Sequence, residues 1–183
     1  MNASLGPRGP ARVLVVGYGN TLRTDDGVGW HAARLLAGDA RLAGAVVLAE
    51  HQLAPELALD LSLASLVILL DASAETPAGT VTVRRIAEPG GLTPSGEIRP
   101  GDPGGTPGPT SHHVHPELLL SLALELYGWA PEAVVVSVGI ADMSPGDRLT
   151  PSVEAALPAV ADAVARLVAD HEGRATRKAR ASA

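Results

Sequence analysis

The sequence predicts a three-layer α/β/α fold with a mostly parallel central sheet, and three observations lead there. Apolar runs of strand length, Val13-Leu14-Val15-Val16 and Leu66-Val67-Ile68-Leu69-Leu70, read as strands buried on both faces. Helical patterns alternate with them, as a parallel sheet with helices on both faces requires. A glycine turn, Gly17-Tyr18-Gly19, joins the first strand to the first helix.

Taken in order, strands are predicted at Arg12–Gly17, Ala45–Glu50, Ser65–Asp71, Thr80–Ile86 and Ala133–Gly139. Helices are predicted at Val28–Ala37, Pro55–Leu63, Pro116–Leu126 and Ser152–Asp170. Pro55 and Pro116 suit the first helical turn, where a missing N–H costs nothing. The last helix opens with Thr150-Pro151-Ser152-Val153-Glu154, a threonine cap, an N-terminal proline and an early glutamate. Pro158 inside it predicts a kink or an offset start.

The 183 residues suit one domain, expected over 12–171, with a flexible N-terminus at 1–11 and a disordered basic tail at 172–183. Glu88–Thr110 is a Pro/Gly-rich loop, long enough to be functional or disordered. Aromatic residues are 2% and phenylalanine is absent, so the core must be built from Leu, Val, Ala and Ile. A net charge of -6, with basic residues gathered only at Arg174, Arg177, Lys178 and Arg180, argues against a nucleic-acid partner. Without cysteine there is neither a thiol nucleophile nor a zinc–thiolate site. No stretch reads as a signal peptide or a membrane span, so no membrane partner and a cytoplasmic location are expected.

The segment Gly17-Tyr18-Gly19-Asn20-Thr21-Leu22-Arg23-Thr24-Asp25-Asp26-Gly27-Val28-Gly29 occupies the place of a dinucleotide-binding turn. The third glycine of that fingerprint is replaced by Leu22, and Asp25 and Asp26 would repel a pyrophosphate. No nucleotide is expected there. One aspartate accounts for a helix cap. The other is left for chemistry.

Further acid and imidazole groups fall on the same side of the topology. Asp71 closes the third strand, and His112, His113 and His115 lie between the glycine-rich loop and the next helix. Ligands of open α/β sheets bind beyond the carboxyl ends of the strands, where these groups can converge. Two carboxylates and one imidazole suit zinc, nickel, iron or manganese and leave positions open. A metal held this way supports metal-assisted hydrolysis. There is no Gly-x-Ser-x-Gly elbow and no His-Glu-x-x-His helix, which removes the ordinary serine hydrolases and zinc proteases.

Gly17-Tyr18-Gly19-Asn20, Asp25-Asp26-Gly27-Val28-Gly29, Asp71, a histidine before a helix and Leu149-Thr150-Pro151-Ser152-Val153 occur in the order seen in one family. Over about Arg12–Val168 the chain resembles the hydrogenase maturation proteases, endopeptidases that trim the C-terminal extension of a nickel–iron hydrogenase large-subunit precursor. The resemblance implies a phosphorylase/hydrolase-like α/β/α fold. It implies Asp26, Asp71 and His113 as the metal-binding and catalytic residues, with His112 as the neighbouring choice for the imidazole. It further implies nickel delivered in the precursor, and aspartic-type or metal-assisted cleavage after a His or Arg. Asn20 or loop N–H groups would steady an oxyanion, and Asp25 is a further candidate, as a supporting neighbour of the ligands or a substrate contact. A small protease acting on a large folded client is expected to work as a monomer. A non-hydrolytic nickel-sensing chaperone or checkpoint would use the same residues.

The chain departs from that pattern after the second strand. Glu50-His51-Gln52-Leu53-Ala54-Pro55-Glu56 stands where relatives carry an aspartate and a glycine-rich turn. His51 therefore lies on the edge of the expected site as an extra ligand, a neighbouring partner or a substrate contact. The short segment Ala141–Arg148 and the long 88–110 loop are expected to alter which precursor is accepted.

Overall fold

The computed structural model describes residues 12–87 and 114–181. In chain order these form β1 (Val13–Tyr18), a 3-10 turn (Thr24–Gly27), α1 (Val28–Leu36), β2 (Val46–Glu50), α2 (Leu57–Ser62) and β3 (Leu66–Ser73). There follow β4 (Val81–Arg85), α3 (Pro116–Tyr127), β5 (Glu132–Gly139), α4 (Pro151–Glu154) and α5 (Leu157–Ala181). Among the described residues the strands make one sheet in the order β2-β1-β3-β5-β4. Only β4 runs antiparallel, against β5. The predicted three-layer fold is the one observed.

Strand alternation builds the layers. Val13, Val15, Ile68, Leu70, Val134 and Val136 face α1, α4 and α5, while Leu14, Val16, Val67, Leu69, Ala133 and Val135 face α2 and α3. Successive side chains of a strand point to opposite faces. A run that is apolar at every position is therefore buried twice, as the sequence of β1 and β3 requires.

The closest packing of helix on sheet depends on a glycine. A Cβ on Gly29 would collide with the carbonyls of Leu70 and Tyr18, so α1 lies directly on β1 and β3. Gly29, rather than the Leu22 position, does what the third glycine of a dinucleotide fingerprint does. At the turn after β1, Gly19 has φ 145°, and a side chain there would strike the Asp26 carbonyl.

The last helix is offset rather than kinked. α4 is a single turn, and α5 begins afresh at Leu157, which puts Pro158 in its first turn where no N–H is needed. α5 then continues to Ala181. Residues 172–181 are thus helical, which corrects the expectation of a disordered tail, because the helix buried through Val168 and His171 propagates into them. No described helix is long and apolar enough to cross a membrane.

Candidate active site

β1, β2 and β3 run parallel, so the chain leaves each of them at the same rim of the sheet. A cavity of about 470 Å³ opens at this rim, lined by Tyr18, Gly19, Asn20, Arg23, Asp26, His51, Gln52, Leu53, Asp71, Val114 and Met143. Four sequence-predicted site residues, Asn20, Asp26, His51 and Asp71, meet there. His112 and His113 lie outside the described residues. His115 stands exposed ahead of α3, near enough for its charge to act on Asp71.

The two adjacent aspartates have separate roles, and neither caps a helix through its side chain. Asp25 is wholly buried. Its carboxylate accepts from the N–H groups of Ala141 (3.0 Å), Asp142 (3.1 Å) and Thr150 (2.7 Å), and from the Thr150 hydroxyl (2.9 Å). Thr150 sits at the N-cap position of α4, yet its hydroxyl is committed to Asp25. Burial pushes the Asp25 carboxyl up, but the bonds from Thr150, Ala141 and Asp142 outweigh it and hold the pKa below the ordinary value. This corrects the capping expectation: the Asp25 carboxylate fastens the 141–150 loop beside the cavity instead of capping a helix.

That loop grips the glycine turn at further points. Thr24 N–H donates to Gly146 O (3.1 Å), Gly146 N–H to Leu22 O (3.1 Å), and the Thr24 hydroxyl to Ser144 O (2.8 Å). Thr24 is held at φ 45°, a strained conformation for a β-branched residue that these bonds maintain. Asn20 shapes the turn as well, its Oδ1 accepting from Leu22 N–H (2.9 Å). Its backbone N–H points to Asp26 Oδ2 (3.4 Å). Asp26, one residue beyond the fastened Asp25, is thereby presented to the cavity.

Asp71 comes from β3, where the register sets Gly17 beside Leu70 and hence Tyr18 beside Asp71. Its Oδ1 accepts from Ala72 N–H (2.8 Å), and the Tyr18 hydroxyl donates to the same carboxylate. Burial pushes the Asp71 carboxyl up to about 6, the Asp26 charge adding to it, against the Tyr18 and Ala72 bonds and the His115 charge. Burial and the neighbouring Asp71 charge push the Tyr18 phenol far above its ordinary value, so it stays a donor. Two coupled carboxylates at the mouth of a cavity are the pattern of a functional site. Together they can bind a cation, and the Asp71 carboxyl, with its raised pKa, can take up a proton.

Sequence reasoning missed Tyr18, Arg23 and Met143. Tyr18 carries a usable signal, since it lies inside the glycine turn at the strand end. Met143 does not, because it reaches the cavity rim only through the Asp25 and Thr24 bonds to its loop. Among the described residues, no three His, Asp or Glu side chains stand close enough to hold a metal ion by themselves.

Fold and site together define a three-layer α/β/α protein with an acidic cavity at the carboxyl rim of its sheet. Its resemblance to the hydrogenase maturation proteases extends to their solved structures. A hydrogenase 2 maturation peptidase from Thaumarchaeota archaeon SCGC_AB-539-E09 matches at 24% identity and TM-score 0.61, covering 86% of this chain and 98% of the other. The NiFe hydrogenase maturation protease HycI from Thermococcus kodakarensis KOD1 matches at 17% identity and TM-score 0.62, covering 87% and 93%. The hydrogenase maturating endopeptidase HybD from E. coli matches at 23% identity and TM-score 0.58, covering 84% and 89%. The shared property is the fold. No family model and no curated protein matches the sequence.

Proposed function

We propose that this chain is a hydrogenase maturation protease, an endopeptidase that removes the C-terminal extension of a nickel–iron hydrogenase large-subunit precursor after nickel insertion. The observation that carries the reading is the convergence of Asp26 and Asp71 on one cavity, in a fold shared with proteins of that activity. The two carboxylates fit a nickel ion borne by the precursor: hard oxygen donors with open positions, short of a complete set on their own. A histidine from the segment before α3, His113 by the family pattern or its neighbour His112, supplies the imidazole.

The chain's own part is then positional. Tyr18 and Ala72 fix the Asp71 carboxylate, and the fastened glycine turn fixes Asp26. Asn20, at the cavity wall, steadies the carbonyl oxygen under attack. His51, which also lines the cavity, contacts the substrate or assists the carboxylates. Nickel, when present, polarises the scissile carbonyl. Cleavage falls after a His or Arg of the precursor, and the protease acts as a cytoplasmic monomer.

Intact mass of a nickel-loaded precursor, before and after incubation and beside a nickel-free control, tests the reading. Loss of a C-terminal peptide only with nickel, and not with Asp26→Ala, is the expected result. Binding without loss of mass replaces the protease by a nickel-sensing chaperone. Substitution of His51 by Ala is expected to slow processing; an unchanged rate removes it from the site.

A further inference from the structure

The sheet has two edges, and the chain treats them differently. β4 ends in Arg84 and Arg85, which pair with Glu117 (3.2 Å) and with Glu132. Charged side chains on an edge discourage pairing with another strand. β2, at the other edge, reads Val46-Val47-Leu48-Ala49 before Glu50, without charge or proline, and all five of its residues are partly exposed.

The backbone of β2 supplies the second half of the argument. The Glu50 carbonyl accepts from Gly19 N–H (3.2 Å), so Val46, Leu48 and Glu50 turn their polar groups toward the β1 side. Alternation then turns those of Val47 and Ala49 outward. Among the described residues these two have no backbone partner beyond the sheet. β2 also runs straight into the site, since His51, Gln52 and Leu53, the residues that follow it, line the cavity with Asp26 and Asp71.

We propose that the outer edge of β2 is the binding track for an extended segment of the substrate polypeptide, which adds to the sheet as a further strand and is led past His51 to Asp26 and Asp71. An open edge offers a row of main-chain donors and acceptors with which another extended backbone can pair, and strand addition is an established mode of peptide recognition. The occupant is the substrate because the track is continuous with the cavity. Bonds to Val47 and Ala49 provide affinity with little demand on sequence. Val47 and Ala49 on one face, Val46 and Leu48 on the other, favour small or branched apolar residues in the guest strand. The inference rests on the proposed processing activity and specifies how that activity meets its substrate.

Two measurements with the nickel-loaded precursor decide it. Hydrogen exchange is followed at residues 46–50 of the Asp26→Ala chain, with and without precursor. In parallel, cleavage kinetics are measured for Ala49→Pro, which removes the outward N–H and leaves the ladder to β1 intact. The Val47 and Ala49 amides are expected to become protected. KM is expected to rise at least about tenfold in Ala49→Pro, equivalent to about 1.4 kcal/mol. If Ala49→Pro does not fold, exchange alone decides. A precursor that the natural chain cleaves and the Asp26→Ala chain binds while its β2 amides stay unprotected overturns the track. So does protection that appears without precursor and grows with protein concentration, which would mean a second copy of this chain on the edge. Protection in the Asp26→Ala chain, while the natural chain leaves the precursor mass unchanged, sinks the protease reading and leaves the track standing.

Discussion

At the amino rim of the sheet, Glu132 receives Arg85 and Arg174 (3.1 Å) and faces His171 Nδ1 at 3.7 Å. The His171 ring also meets the Ser65 hydroxyl (2.8 Å), while Trp129 donates to the Ala64 carbonyl (3.0 Å). At the carboxyl rim Asp26 and Asp71 face a cavity, with Arg23 and His51 on its wall. Both rims gather acids, bases and imidazoles. At one they neutralise each other, and at the other, among the described residues, neither Asp26 nor Asp71 forms a salt bridge. Asp25 shows that the difference is made locally. It occupies the carboxyl rim too, yet four donors consume it, and its neighbour Asp26 is left to the cavity.

The sharpest way to break this comparison is Asp25→Ala. It leaves three backbone N–H groups and a hydroxyl without an acceptor, and a loss of about 3–5 kcal/mol in unfolding free energy is expected from urea melts. Because the Asp25 pKa is depressed in the folded state, its stabilisation is complete above the ordinary carboxylate pKa and disappears only as pH falls through the folded value.

Asp26→Ala or Asp71→Ala should invert that result. Precursor cleavage is expected to fall at least about a hundredfold. Stability should change by under about 1 kcal/mol, since neither group holds the fold as Asp25 does. Comparable losses of stability in all three variants would erase the distinction between Asp25 and the cavity carboxylates.

At the amino rim the expected effects are smaller. Burial holds the His171 pKa below its ordinary value, the Arg174 charge adding to this and Glu172 opposing it. The neutral ring is the folded form, so its contribution is present above the ordinary imidazole pKa and lost as pH falls through the folded one. Urea midpoints at pH 8 and pH 5 should therefore lie further apart in the natural chain than in His171→Asn. The raised pKa of Asp71 works in the opposite sense, favouring the folded state as pH falls through about 6. It is common to both chains and cancels in that difference. Glu132→Gln, in an exposed network, should cost about 0.5–1 kcal/mol and leave cleavage unchanged.

Much of this molecule was legible in its sequence because local patterns decide local structure. The doubly apolar runs of β1 and β3 allow no other placement than the middle of a sheet. Asp71 at the end of β3 and Asp26 after β1 reach the same rim by the direction of parallel strands alone. The helical ending at 172–181 was misread because its composition is that of a solvated tail, and only the docked helix before it carries the structure onward.

The sequence by itself determined the layers, the parallel strands and the rim at which acids collect, because alternation, strand length and turn chemistry are short-range properties. Tertiary structure alone decided which of two adjacent aspartates is buried. The bonds that consume Asp25 come from residues 116 to 125 positions away in the chain, and nothing local distinguishes the two side chains. It also decided that β2 stands at an edge and that the residues after it line the cavity. Strand order follows from how crossovers pack over the whole sheet, and no segment of the chain records that on its own.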